Sequence, residues 1–149
     1  MKNYSLIIFS VFIFLFSCVD KEKTLDNGVN IKYLKKGDGQ KINEGEIVML
    51  NLKYFDYDGN ELLNKVGKDP VVLQKDSSWK VNGIIYEVID NLVNGDSIFF
   101  QLTTEQFFKN APQAVEMPDS VKNKLISFYC GVQDIMLSLI HISEPTRPY

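Results

Sequence analysis

Alternation of apolar and polar residues at every second position most limits the folds open to this chain. The pattern occurs in four segments: Val29–Lys35, Ile47–Phe55, Ser97–Thr103 and Lys124–Val132. A period of two is typical of β-strands with one buried face. Glu61–Asn64 and Val71–Gln74 are shorter segments that also indicate strands. The sequence therefore predicts a sheet with one apolar face that another element must cover.

One amphipathic helix is predicted to cover that face. After Gly83, apolar residues recur at helical spacing and form a single stripe: Ile84, Ile85, Val88, Ile89 and Leu92. Asn94-Gly95-Asp96 then ends the helix and turns the chain. We expect an α+β fold, with a bent antiparallel sheet of about five to six strands wrapped around this helix.

Composition excludes several classes of function. The length of 149 residues suits one domain. The net charge of −3 gives nucleic acid no electrostatic reason to bind. His141 and Arg147 are the only histidine and arginine, and both lie near the C-terminus. Without another histidine, the chain cannot build Ser-His-Asp or Cys-His catalysis or a histidine-ligated zinc site. No Gly-rich phosphate loop is present, so we expect neither cofactor nor metal.

The N-terminus has the pattern of a secretory signal. Lys2 precedes the apolar stretch Leu6–Phe16, which is too short to span a bilayer. Leu15-Phe16-Ser17-Cys18 resembles the bacterial lipobox, which implies cleavage of residues 1–17 and lipidation of Cys18 before a tether over 18–28. We expect a lipid-anchored protein of the bacterial cell envelope, facing the periplasm or cell surface, and Val19 favours the outer membrane. The alternative is an ordinary signal peptide with a chance cysteine.

The last residues, 137–149, differ from the rest of the chain in composition. Leu137–Arg147 resembles the translation of a transposon-end adapter used in sequencing libraries. We therefore expect a non-native tail there, and we leave His141 out of every candidate site. A genuine proline-rich tail is the alternative.

The order of elements over residues 28–135 resembles that of the FKBP-type peptidyl-prolyl cis-trans isomerases. The resemblance rests on GVNIKYLKKGDGQKINEGEIVMLNLKYFDYDGNELL and on YEVIDNLVNGDSIFFQL, whose helix ends in L-x-x-G-D before the next strand. It implies an FKBP-like domain over 29–136 that rotates X–Pro bonds of exported polypeptide clients. Such rotation needs no cofactor, because an apolar pocket can favour the twisted amide.

The resemblance also implies a pocket. The family's pocket residues fall on six positions: Leu52, Leu62, Val81, Ile85, Phe108 and Phe128. Leu52 and Phe108 replace tyrosines of the family, Ile85 replaces its tryptophan, and Leu62-Leu63 replaces a Phe-Asp pair. The predicted pocket is apolar but lacks the family's carboxylate and hydroxyls. Plain core packing is the alternative for each residue taken singly.

Two functions from different classes remain open on the sequence. One is a membrane-tethered isomerase. The other is a non-catalytic FKBP-like binding or chaperone lipoprotein, which the altered pocket favours. Trp79 and Tyr86 are alternative aromatic residues for the pocket mouth, although packing at the surface explains them better.

Overall fold

Seven strands form one antiparallel sheet in the computed structural model, which describes residues 21–80, 83–109 and 116–137. They are β1 (Glu22–Thr24), β2 (Asn30–Lys35), β3 (Glu46–Phe55), β4 (Glu61–Asn64), β5 (Val71–Gln74), β6 (Ser97–Thr103) and β7 (Leu125–Leu137). The order across the sheet is β1-β2-β6-β7-β3-β4, and β5 pairs with the first half of β3. Cys18, Val81 and His141 lie outside the described residues.

Three short α-helices and one 3₁₀ helix complete the described part of the chain. They are the 3₁₀ helix Ser77–Lys80, α1 (Ile84–Asp90), α2 (Thr104–Phe108) and α3 (Asp119–Lys122). The predicted α+β class and antiparallel sheet agree with this fold. The predicted strand number and the single helix do not. The polar strand β1 has no alternation to reveal it, and α2 and α3 are too short to show a helical period.

The buried face of the sheet carries the core. Alternate residues of β6 and β7 point into it and are buried, as their alternation predicts: Ile98, Phe100, Leu102, Ile126, Phe128, Cys130 and Val132. Val88, Ile89 and Leu92, on and after α1, are buried in the same core cluster. The pairing of β7 with β3 shifts register in β7, because Leu50 pairs with Val132 while the preceding Met49 pairs with Asp134. After Val132, the next buried residue of β7 is therefore Ile135. The extra residue is a β-bulge, which bends the strand.

Asp96 joins two turns that contain glycine, Gly37-Asp38-Gly39 and its own turn Asn94-Gly95-Asp96. Its carboxylate accepts hydrogen bonds from the backbone N–H groups of Gly37 (2.8 Å) and Val93 (2.9 Å). A Cβ atom on Gly37 would overlap the carbonyl oxygen of Asn94, so only glycine fits at this approach. The L-x-x-G-D motif and the Gly37-Asp38-Gly39 turn are therefore one structural unit.

The segment predicted as a tether contains ordered structure. β1 pairs with β2 through Glu22↔Lys32, Lys23↔Ile31 and Thr24↔Asn30. Leu25 is only 5% exposed and belongs to the core. The ordered domain thus begins before the predicted start at residue 29. None of the helices in the described ranges is long and apolar enough to cross a membrane.

Candidate functional site

Five aromatic rings meet between the inner face of the sheet and helix α2, and we call this group the aromatic cluster: Tyr54, Phe100, Phe107, Phe108 and Phe128. Phe128 is its centre, with ring centroids 4.8 Å from Phe100, 5.2 Å from Tyr54 and 5.6 Å from Phe107. Phe107 also lies 5.9 Å from Tyr54 and 4.9 Å from Phe108. These separations are those of favourable offset and edge-to-face ring pairs.

Strand register sets the lower layer of the aromatic cluster. Phe128 is paired with Tyr54 on β3 and with Phe100 on β6, so the three rings lie side by side. Phe128 is 1% exposed and therefore forms a floor. Tyr54 is half-buried near the end of β3. The sheet thus supplies a rigid apolar base with one phenol at its rim.

Helix α2 supplies the upper layer. Thr103 accepts a hydrogen bond from the N–H of Gln106 (3.1 Å), and the Gln106 side chain accepts one from the N–H of Thr103 (2.9 Å). This reciprocal pair is a capping box, which fixes where the helix starts. Phe107 and Phe108 follow directly and are both half-buried. Their position over the sheet is therefore set by the cap.

The structure distributes the six predicted pocket residues unevenly. Phe128 lies at the centre of the aromatic cluster, and Phe108 joins it through Phe107. Leu52 and Ile85 are half-buried and pack against the core, Leu52 on β3 and Ile85 on α1.

Leu62 lies apart from the core. It is on β4, with 53% of its surface exposed. Val81 lies outside the described residues. The assignment of these six residues to a pocket stays a prediction.

Sequence reasoning missed Tyr54 and Phe107. Tyr54 alternates with Leu52 on the inner face of β3, so the strand pattern already placed it beside the predicted pocket. Phe107 could have been found from Thr103-Thr104-Glu105-Gln106, which has the spacing of a capping box. The signal was present in both cases.

Trp79 is a core residue, contrary to the interpretation as a surface aromatic. It is buried, and its indole N–H donates to the carbonyl oxygen of Gln74 at 3.0 Å. The Tyr86 ring packs against it edge-on with centroids 5.3 Å apart. Trp79 is therefore committed to packing below the start of α1.

Asp56, an acidic residue close in sequence to Tyr54 of the aromatic cluster, belongs to a turn. Asp56 accepts hydrogen bonds from the N–H of Asp58 (2.9 Å), the N–H of Asn60 (2.8 Å) and the Asn60 side-chain amide (2.9 Å). These bonds, with the Asn60 side chain first, hold the pKa of Asp56 below its usual value. Asp56 therefore stays ionised and builds the β3–β4 hairpin.

Chemically, the aromatic cluster offers an apolar surface and the phenol of Tyr54. It brings no carboxylate, imidazole or thiol to a reacting group. Among the described residues, no group of three His, Cys, Asp or Glu side chains is placed to hold a metal ion.

Four cavities formed by the described residues lie away from the predicted pocket residues. Their volumes are about 410, 460, 390 and 640 Å³, and none of these four is lined by a predicted pocket residue. The largest lies on the outer face of the sheet between Tyr57, Lys124 and Tyr129. The Lys124 ammonium lies 4.3 Å from the centre of the Tyr57 ring there.

The sequence matches no protein-family model and none of the curated proteins. Solved structures do resemble its fold. A peptidyl-prolyl cis-trans isomerase from Pseudomonas syringae pv. tomato superimposes with a TM-score of 0.57 at 17% identity, covering 89% of this chain and 93% of that one. FkpA from Escherichia coli gives 0.54 at 18%, covering 89% of this chain and 59% of FkpA.

The three FKBP domains of wheat FKBP73 give a TM-score of 0.55 at 18% identity, covering 79% of this chain and 50% of that one. This chain thus spans about three fifths of FkpA and half of the wheat structure. At these identities the likeness establishes the fold. The chain has the fold of the FKBP-type peptidyl-prolyl isomerases.

Proposed function

We propose that this protein is a peptidyl-prolyl cis-trans isomerase, anchored to a membrane through Cys18, that acts on X–Pro bonds of exported polypeptides. The observation that carries the proposal is the aromatic cluster, which lies between the sheet and α2 of an FKBP-like fold. Half-buried rings of Tyr54, Phe107 and Phe108 line its outer side.

The physical task suits such a surface. Rotation about an X–Pro bond faces a barrier of about 18–20 kcal/mol because the twisted amide loses resonance. A dry aromatic wall holds the proline ring, and a hydrogen bond that forms only with the twisted amide lowers the barrier. In this proposal Phe107 contacts the ring, and the Tyr54 hydroxyl donates to the peptide carbonyl.

A protease-coupled assay on an X–Pro tetrapeptide tests the proposal with the mature protein in detergent. We expect isomerisation above the buffer rate and a loss of about tenfold or more in kcat/KM for Phe107→Ala. Phe99→Ala is the matched control, because Phe99 is also half-buried but lies on the opposite face against Tyr129 (5.1 Å). A folded wild-type protein that turns over at the buffer rate contradicts the proposal.

Tyr54→Phe separates binding from catalysis. Removing a hydroxyl that bonds only the twisted amide lowers kcat and kcat/KM by the same factor. A rise in KM with unchanged kcat would assign Tyr54 to substrate binding alone.

A non-catalytic binding module is the second candidate. One observation in its favour is that Leu62, at a position where the family has an aromatic residue, is exposed on β4. Another is that none of the four cavities described above is lined by a predicted pocket residue. This function predicts binding of unfolded, proline-containing polypeptide without turnover. The same tetrapeptide assay, run beside an aggregation assay on an unfolded client, distinguishes the two.

The lipid anchor is tested separately with Cys18→Ala. In bacterial cells we expect the parent protein in the membrane fraction and the variant in the soluble envelope fraction, because several acyl chains provide a lasting anchor. A variant that stays in the membrane fraction contradicts the anchor.

A further inference from the structure

The distance between the proposed lipid and the folded domain is short. The carbonyl oxygen of Lys21 accepts a hydrogen bond from the N–H of Tyr33 at 2.6 Å, so the chain is fixed to β2 from Lys21 onward. Only Val19 and Asp20 separate Lys21 from Cys18. Three Cα–Cα steps reach at most about 11 Å. A lipid on Cys18 would therefore hold this end of β2 close to the headgroups.

Within the described residues, which begin at Lys21, the part of β2 nearest that exit is an open edge. β1 covers β2 only over Asn30–Lys32. Beyond Tyr33, no strand of the described chain pairs with this side of β2. On the other side, the pairing with β6 shifts register between Tyr33 and Lys35. The shift leaves Leu34 outside the ladder, with 53% of its surface exposed.

The side chains at this open edge are apolar and basic. Leu34 lies between Lys32 and the pair Lys35-Lys36. Lys32 faces Glu22 at 4.0 Å with both side chains largely exposed, which gives weak pairing. Among residues 21–80, 83–109 and 116–137, no carboxylate lies within ion-pair distance of Lys35 or Lys36. The Lys36 ammonium instead lies 5.6 Å from the Tyr33 ring centre.

We propose that this open edge, Leu34 with Lys32, Lys35 and Lys36, docks on an anionic lipid surface, and the proposal rests on the proposed anchor at Cys18. The exposed leucine enters the interface, and the lysines contact lipid phosphates, which attract basic segments. The local charge is positive although the whole chain carries −3. The domain then lies on the membrane in one orientation instead of hanging free from its lipid.

A fluorescent label on the lipidated mature protein tests the docking. Leu34→Cys and Val66→Cys each carry an environment-sensitive dye, and the native Cys130 is buried and does not compete. Val66 is the matched control, since it is 52% exposed between Lys65 and Lys68 beyond β4, at the far edge of the sheet. Proteins are bound to phosphatidylglycerol–phosphatidylethanolamine vesicles or to phosphatidylcholine vesicles and recovered by flotation.

We expect blue-shifted emission at position 34 on the anionic vesicles, a smaller shift on phosphatidylcholine, and little change at position 66. Adding Lys35→Gln and Lys36→Gln to the position 34 label removes most of the shift, whereas Lys65→Gln with Lys68→Gln leaves it unchanged. Proteins that float but report the same environment at both positions overturn the docking and leave the anchor intact. A protein that does not float overturns the anchor and the docking together. Isomerase activity in detergent is independent of both results.

Discussion

At the scale of single residues, Asp96 is a buried carboxylate that joins separate parts of the fold. It is buried, and both carboxylate oxygens accept backbone N–H groups from two different loops. Its own carbonyl oxygen accepts from the N–H of Val132 on β7 at 2.8 Å. The carboxylate of this one residue therefore ties the first glycine turn to the end of α1, and its backbone carbonyl ties both to the sheet.

Asp96→Ala should lower the free energy of unfolding by about 2–4 kcal/mol, because it leaves two partly buried N–H groups, those of Gly37 and Val93, without their acceptor. Urea unfolding at neutral pH measures the change. Asp38→Ala, an exposed aspartate in the adjoining turn, is the control and should change stability by less than about 0.5 kcal/mol. Equal effects of the two variants would show that the Asp96 carboxylate has no special role.

Cys130 gives the protein a predictable response to alkali. Burial raises the pKa of its thiol to about 12, so the folded state keeps the proton after the unfolded chain loses it. Stability therefore falls as pH rises from about 9 to about 12, with a contribution from Cys130 of about 1.4 kcal/mol per pH unit. Cys130→Ala should be less stable at pH 7 but show a shallower alkaline decline. Parallel curves for the two proteins would contradict this linkage.

At the scale of secondary-structure elements, the capping box decides where α2 begins and hence where Phe107 lies. A five-residue helix has too few internal hydrogen bonds to persist alone. The cap and the ring contacts to Tyr54 and Phe128 hold it on the sheet. A small change at the cap therefore reaches the candidate site.

Thr103→Ala should cost about 1 kcal/mol of stability through the lost cap. We also expect lower isomerase activity than that of Thr103→Ser, which keeps the hydroxyl. Thermal unfolding and the tetrapeptide assay measure the two effects. If Thr103→Ala and Thr103→Ser are equal in both measurements, the cap does not position Phe107.

At the scale of the whole molecule, the N-terminal strand belongs to the domain. Leu25 is buried in the core, and its N–H donates to the carbonyl oxygen of Val29 at 2.9 Å. The short connection from Cys18 is a consequence of that packing. The same residues thus serve the core and limit how far the domain can move from the proposed anchor.

Leu25→Ala should reduce the free energy of unfolding by about 2–5 kcal/mol, the usual cost of emptying a buried leucine site. Leu34→Ala is the control, because Leu34 is largely exposed and its truncation should change stability little. Chemical denaturation of the mature protein compares the two. A harmless Leu25→Ala would mean that β1 packs loosely and the tether is effectively longer.

Local patterns were sufficient for most of the sheet. Glu61–Asn64, Val71–Gln74 and Ser97–Thr103 were predicted with the bounds that the structure shows. The inward residues of β6 and β7 also follow from alternation alone, because a strand has only two faces. β1 has no such pattern, since its neighbour β2 and not its own sequence places it.

By itself, the sequence determined which residues alternate, where the turns fall and which side of each strand is apolar, because these depend on neighbours along the chain. Only the tertiary structure decided that Asp96 joins two turns and that Tyr54 and Phe107 meet over Phe128. It alone placed Leu34 at an open edge beside the chain's exit. These are contacts between segments distant in sequence, and strand order and register fix them.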